Sequence, residues 1–290
     1  MLYLSTVIYH WALGATNLFP SRSRIERLSK PDIRVLNFHD VPASKRRKFI
    51  RQIERVQEKR RFIDVAEFSR LMNGECKLLE NVVLLTFDDG FRSNYEDAIE
   101  ILNPRNIKAL FFVVPEFVEI LTDVNRLQFV QQRLFPDQKI SNQKKKLTSM
   151  SWVEIKQLIK DGHTIGCHTG SHARLSDIQD RVKLWTEIVE SGDKIEENTG
   201  ISVEHFAYTF GDISSMSQEA LSIAGRRYRY VHSAVRGCNY PTTSRLAIRR
   251  ETVHPWDPLI FMSGVLEGVA DFQYQKARKV LDGWASKANL

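Results

Sequence analysis

Four runs of strand length, each ending directly in polar, chemistry-bearing residues, constrain this chain more than any other feature. Ile33–Phe38 (IRVLNF) ends at His39-Asp40, and residues 81–87 (NVVLLTF) end at Asp88-Asp89-Gly90. Residues 163–167 lead into His168-Thr169-Gly170-Ser171-His172, and residues 203–207 into Tyr208-Thr209-Phe210-Gly211. The first two are short, mostly apolar runs bounded by turn residues, the pattern of strands buried on both faces. Residues 109–114 (ALFFVV) make a further run of this kind, and residues 228–232 and 246–250 read as late strands. Helical patterns fill the intervals. Residues 44–61 place Phe49, Ile50, Ile53 and Val56 on one face, and residues 95–102 stop at Asn103-Pro104. Ser151-Trp152-Val153-Glu154 is a capping box, residues 177–198 form a longer helix closed by Gly200, and residues 217–224 form a short one closed by Gly225. Strands alternating with helices predict a parallel sheet or barrel, whose strand-end loops form the active face.

The remaining composition narrows the partners. Lys and Arg number 42 against 35 Asp and Glu, for a net charge of +7. That balance permits an anionic partner: nucleic acid, a membrane surface or a phosphorylated substrate. The three cysteines, Cys76, Cys167 and Cys238, are widely spaced, which excludes a disulfide scaffold or a cysteine zinc finger and fits a reducing compartment. Residues 1–19 are apolar and free of Asp, Glu, Lys and Arg, but their basic flank (Arg22, Arg24, Arg27) follows the run instead of preceding it as in a secretory signal. His10 and Asn17 dilute the roughly 20 apolar residues that a spanning helix needs. A docked or interfacial helix is favoured over an anchor or a signal, and Tyr9 and Trp11 suit contact with an anionic membrane face. The chain divides into an N-terminal helical extension, residues 1–30, and one domain, residues 31–290, with a surface insertion at 131–148 whose polar, basic stretch 131–146 ends in Lys144-Lys145-Lys146. A cytoplasmic location, with membrane association through residues 1–30, is expected.

Asp88 and Asp89 are adjacent carboxylates after a buried strand, and a divalent cation would relieve their repulsion. Asp-Gly is also ordinary turn chemistry. His168 and His172 are four apart, which brings two imidazoles to one side of a helix or tight loop. Together, an Asp and two His make a zinc-type ligand set with positions open for water and substrate, and the set suits other divalent ions too. Only one aspartate is needed as a ligand, which leaves the other free to act as a general base.

Thr86-Phe87-Asp88-Asp89-Gly90 resembles the first motif of the polysaccharide deacetylases (the NodB homology domain, carbohydrate esterase family 4). His168-Thr169-Gly170-Ser171-His172 resembles the second motif, Phe206-Ala207-Tyr208-Thr209-Phe210-Gly211 is similar to the third, and His39-Asp40-Val41 is similar to the opening of many members. The resemblance covers about residues 33–250. It implies a distorted (β/α)7 barrel with one divalent metal ion, zinc first with cobalt, nickel or manganese as alternatives. Asp89, His168 and His172 would be the ligands, Asp88 the general base, and the Phe210 backbone N–H an oxyanion donor. The third motif departs from the family pattern at Thr209, where Pro is usual, at Phe210, where Tyr is usual, and at Ala207, where many members place an arginine. Arg249 or Arg250 on the late strand is expected to supply that charge, so the catalytic candidates are Asp88, Phe210, Arg249 and, as general acid, His254 ahead of His232. His39, Asp40 and Tyr208 are candidate pocket residues. Cys167 should point away from His168 if the strand persists, while His163 and His205 are read as core-edge or surface residues.

The implied activity is metal-dependent removal of N-acetyl groups from a sugar of a bacterial polysaccharide or glycan pathway. For an intracellular enzyme a nucleotide- or lipid-linked sugar is the natural substrate, its phosphates drawn by the positive charge. The alternatives are a deformylase or other amide hydrolase, and a non-catalytic saccharide-binding protein on the same fold. A nucleic-acid partner is not expected.

Overall fold

A computed structural model describes residues 30–136 and 147–288, so the proposed N-terminal extension up to residue 29 and the lysine-rich part of the insertion lie outside the described residues. Eight strands form one sheet: β1 (Ile33–Phe38), β2 (Arg61–Ile63), β3 (Val82–Phe87), β4 (Ala109–Val113), β5 (Thr164–Cys167), β6 (His205–Ala207), β7 (Tyr230–His232) and β8 (Glu251–Thr252). Their order is β7-β6-β5-β4-β3-β1-β8, with β2 paired to the first half of β3, and every pairing is parallel.

The sheet curls until its ends meet. Ile248 N–H donates to Val231 O at 3.0 Å and Ser233 N–H to Ile248 O at 2.8 Å, while three residues further on Glu251 pairs with Leu36 of β1. One short segment therefore hydrogen-bonds β7 and then β1, closing the distorted (β/α) barrel. This is why the strand expected over residues 246–250 is instead a closing segment followed by the short β8.

Side chains along each strand alternate between two apolar layers, as the pleat requires. Leu36, Phe38, Leu85, Phe87, Phe111, Cys167 and Phe206 pack outward against helices, among them Arg46–Lys59 through Phe49, Ile53 and Val56. Ile33, Val35, Leu84, Tyr230 and Ile248 face inward onto Phe68 and Leu71 of the helix Val65–Met72. Polar residues in register with the inward set, Asn37, Thr86, Asp88, His168 and Arg250, are buried.

The Ser151–Glu154 capping box is present, with Ser151 N–H donating to Glu154 Oε2 at 2.8 Å and Glu154 N–H to Ser151 Oγ at 3.3 Å. The long helical stretch starts at Arg181, behind an Asp180 cap, and ends on left-handed Gly200. Gly225 does not stop its helix, which runs Gln218–Arg227. A Cβ there would sit 2.8 Å from Leu246 Cδ1, so glycine lets the helix approach the closing segment. The helix Val65–Met72 starts behind Asp64, whose side chain accepts from Glu67 N–H at 2.7 Å, whereas Leu259–Leu266 has no side-chain cap. Among the described residues, no helix is long and apolar enough to cross a membrane.

Candidate functional site

The site gathers at the carboxyl ends of β3, β5 and β6. Asp88, the first residue after β3, keeps the inward parity of Thr86 and is 3% exposed. Arg250 donates from Nη1 to its Oδ1 at 2.7 Å and from Nη2 to its Oδ2 at 2.9 Å, and Asn37 Nδ2 donates to Oδ2 at 2.8 Å. Arg250 is itself fully buried, steadied by its Nε donating to Ser233 O and by the Phe112 ring 5.1 Å from its guanidinium. Burial alone would raise the Asp88 carboxyl. The charge of Arg250, with His168 and His39 adding to it, holds the carboxyl below its ordinary value.

Asp89 turns the other way, at φ 72°, and brings its Oδ1 3.5 Å from His168 Nε2 and 3.3 Å from His172 Nε2. One ligating atom from each of these three residues falls within 4.8 Å of the others. His168 Nδ1 lies 2.7 Å from Ala207 O, and His172 Nδ1 lies 2.9 Å from Arg133 O. A carbonyl oxygen only accepts, so each Nδ1 carries the hydrogen and each Nε2 of a neutral ring presents a lone pair. Asp89 Oδ1 is buried and has no hydrogen-bond donor. Three lone-pair atoms facing one another repel unless positive charge sits among them, and the donor set of two imidazoles and a carboxylate fits a divalent metal. The same field acts on protons. Burial opposes a charged His168, but Asp88 and Asp89 raise its pKa.

The backbone here is held in an uncommon conformation. Among the described residues, the non-glycine residues with positive φ are Asp89, Asn106, Thr169, His172 and Phe210, and all but Asn106 belong to these strand-end loops. Left-handed backbone at a non-glycine residue persists only where the surroundings over-determine it. Glu187 provides part of that constraint, accepting from Gly170 N–H and Ser171 N–H, both at 2.9 Å, and from Ser171 Oγ at 2.6 Å. Gly211 provides another: at φ 72° it presses so close to Ala234 that a Cβ would lie 2.3 Å from the alanine Cβ.

The remaining candidates divide. Phe210 is partly exposed, with its ring edge-on to His172 at 5.0 Å. His39, with a side chain 37% exposed, places Nε2 3.9 Å from Asp88 Oδ2. Asp40 accepts from Ser93 Oγ at 2.8 Å, and burial raises its carboxyl. His254 stacks on Trp256 with ring centroids 4.7 Å apart, and burial, followed by the charges of His39 and Arg236, lowers it to about 4. Cys167 turns away from the site to Ser191 Oγ, and burial pushes its thiol up to about 11.

Two expectations are corrected. Arg249 is not the partner of Asp88. It faces outward and donates to Asp282 of the C-terminal helix at 2.8 and 3.0 Å, because adjacent residues of an extended segment point to opposite sides. Tyr208 is not a pocket residue. It shares the outward parity of Phe206 and is fully buried in the sheet–helix core. Asn37 was missed. Its signal was a polar residue of inward parity inside an otherwise apolar strand end.

Comparison with known proteins agrees with this geometry. The family profile described as Polysaccharide deacetylase matches residues 77–229. Among solved structures, IcaB from Ammonifex degensii is 22% identical with a TM-score of 0.62, over 84% of this chain and 98% of that one. Streptococcus pyogenes deacetylase PplD, in complex with acetate, is 19% identical with a TM-score of 0.62, over 82% and 98%. A de-N-acetylase from Aggregatibacter actinomycetemcomitans is 15% identical with a TM-score of 0.63, over 80% and 99%. At these identities the likeness concerns the fold. A curated relative, an uncharacterized 30.6 kDa protein in the fumA 3' region of Geobacillus stearothermophilus, is 25% identical over 120 residues. That match spans 41% of this chain and 33% of the relative's length.

Proposed function

The chain belongs to the polysaccharide deacetylase family, and from that premise we propose that it is a metal-dependent hydrolase removing N-acetyl groups from a sugar of a bacterial polysaccharide or glycan pathway. One observation carries this reading: a buried three-atom cluster suited to a cation stands next to a carboxylate that a buried arginine keeps ionised. Asp89, His168 and His172 would hold the ion, with zinc favoured by the mixed nitrogen and oxygen donors and cobalt, nickel or manganese also accommodated. When bound, the ion would supply electrophilic stabilisation of the charge that develops on the acetamide oxygen.

The residues of the chain divide the other tasks. Asp88 takes a proton from the attacking water, and Arg250 and Asn37 fix the orientation of its two oxygens during the transfer. The Phe210 N–H is the backbone donor to the oxyanion. The C–N bond then breaks, leaving acetate and a free amine that needs one proton. His254 and His39 are the imidazoles within mutual electrostatic reach at the mouth. With His254 lowered to about 4, it is mostly neutral near neutral pH, so the proton that Asp88 takes from water is the one that reaches the leaving amine, with His254 as the candidate relay. The substrate is a sugar bearing an acetamide, linked to a nucleotide or a lipid, and residues 1–30 are the proposed membrane contact.

The test pairs elemental analysis of the purified protein with acetate release from N-acetyl sugars, using His168→Ala as control. About one divalent ion per chain, lost in the control, together with acetate release supports the reading. Absence of both after soaking with zinc overturns it.

A further inference from the structure

Two of the three departures of the third motif, Thr209 and Phe210, do a job together. The Thr209 hydroxyl donates to Ala173 O at 2.6 Å, tying this loop to the segment that follows His172. The next residue, Arg174, lays its guanidinium 4.1 Å from the centroid of the Phe210 ring, whose other neighbour is His172. Arg174 is partly exposed, and among the described residues no carboxylate lies within ion-pair distance of it. Asp212, the acid that feels its charge, has its Oδ1 occupied by Ser214 N–H at 2.8 Å, Ser214 Oγ at 2.7 Å and Ser215 Oγ at 2.9 Å. The mouth of the site therefore carries a pre-oriented guanidinium, one aromatic ring removed from His172, with its donors unspent. A guanidinium stacked on an aromatic face is weakly hydrated and presents a flat fork of N–H donors, the geometry that recognises carboxylate and phosphate.

We propose that Arg174, perched on Thr209 and Phe210, is a specificity-determining residue that selects acetamido sugars carrying an anionic group, phosphate or carboxylate, next to the ring that is deacetylated. This rests on the deacetylase reading of the same site, and it explains why proline and tyrosine are dispensable here. Thr209 supplies a hydroxyl tether that proline lacks, and Phe210 supplies a bare ring for the cation.

The experiment compares N-acetylglucosamine 1-phosphate, N-acetylmuramic acid and neutral methyl N-acetylglucosaminide on the full chain. Calorimetric affinity and acetate release are measured separately. The expected result is an affinity preference for at least one anionic probe over the neutral one of about tenfold, the scale of a charge-assisted hydrogen bond. Which anionic probe is preferred identifies phosphate or carboxylate as the source. Arg174→Gln should collapse that ratio towards unity, and Arg174→Lys should retain part of it. Equal affinities for all three probes, no binding of either anionic probe, or an Arg174→Gln variant that weakens anionic and neutral probes by the same factor would overturn the proposal. The two readings fail separately. An anionic preference without acetate release leaves the Arg174 assignment standing and removes the deacetylase, whereas acetate release without that preference does the reverse.

Discussion

Arg250 and Asp88 meet through two parallel hydrogen bonds across 162 residues of sequence, and both side chains are almost completely excluded from solvent. A bidentate pair of this kind fixes orientation as well as charge. The Asp88 oxygens accept from Arg250 and Asn37, so the carboxylate has one way to stand relative to Asp89 and the two histidines. The barrel's closing segment delivers Arg250, which makes closure of the fold and placement of Asp88, the proposed base, one structural event.

Replacing Arg250 should therefore be costly in two ways. Arg250→Gln leaves a buried carboxylate without its counter-charge, a loss of about 3–5 kcal/mol for a broken buried pair. Loss of that charge should also lift the acid limb of the pH–rate profile, since the guanidinium is the main influence holding the Asp88 carboxyl down against burial. Arg250→Lys should rescue little, because an ammonium cannot reproduce the fork. Arg249→Gln, whose partner Asp282 is 44% exposed, should cost at most about 1 kcal/mol and leave the pH profile in place. Urea denaturation and pH–rate profiles of the three variants check this.

The contrast between the two arginines shows what was legible in the sequence. The strands β1, β3 and β4 were readable because burial on both faces makes them mostly apolar, and the acidic and histidine clusters were readable because each follows its own strand locally. The partner of Asp88 lies far away in sequence, and two adjacent arginines look alike without a register. Ile248 faces inward with Tyr230, and alternation from that residue places Arg250 inward and Arg249 outward. The same parity misplaces Tyr208 in a motif-based reading: the motif position is right, but its side chain belongs with Phe206 in the core. Asn37 and the two-residue β8 depend on pairing between distant segments and leave little local trace.

The two aspartates should separate by readout. Asp89→Ala removes the one carboxylate of the cluster and should abolish bound metal, as should His172→Ala. Asp88→Asn keeps all three ligating residues and should retain metal while losing hydrolysis by about 100-fold or more, the range for a general base. His254→Ala should lower the rate far less, since His254 is mostly uncharged near neutral pH. Metal content by elemental analysis beside acetate release measures both, and an active Asp88→Asn enzyme would remove Asp88 as the base.

Tyr208→Phe tests the correction at the third motif. The hydroxyl is buried in the sheet–helix core, so its removal should leave KM and kcat close to wild type. Among the described residues the hydroxyl has no partner at hydrogen-bond distance, so its removal should leave stability unchanged or slightly raised. A KM raised tenfold would return Tyr208 to the pocket.

Acid stability should depend on His163, which lies outside the site. It is 4% exposed, its Nδ1 accepts from Ala109 N–H at 3.1 Å, and its Nε2 lies 3.0 Å from Asn103 Oδ1. Both contacts require the neutral ring with hydrogen on Nε2, because a proton on Nδ1 would face the Ala109 N–H. Burial, with Lys108 adding to it, lowers the imidazole from 6.5 to about 4. The folded state therefore binds fewer protons than the unfolded chain between those values, and stability falls as pH drops from about 6.5 to about 4. At about 1.4 kcal/mol per unit, the His163 share reaches roughly 3 kcal/mol at the acid end. His205 and His254, lowered to about 3 and about 4 by burial, act with the same sign, so the wild-type slope exceeds one proton and only a difference isolates His163. His163→Gln should be less stable at neutral pH yet lose less on acidification, by close to one proton in slope. Urea titrations of both proteins at about pH 7 and about pH 5 provide that comparison; equal slopes would mean that His163 is protonated in the folded state as readily as in the unfolded one.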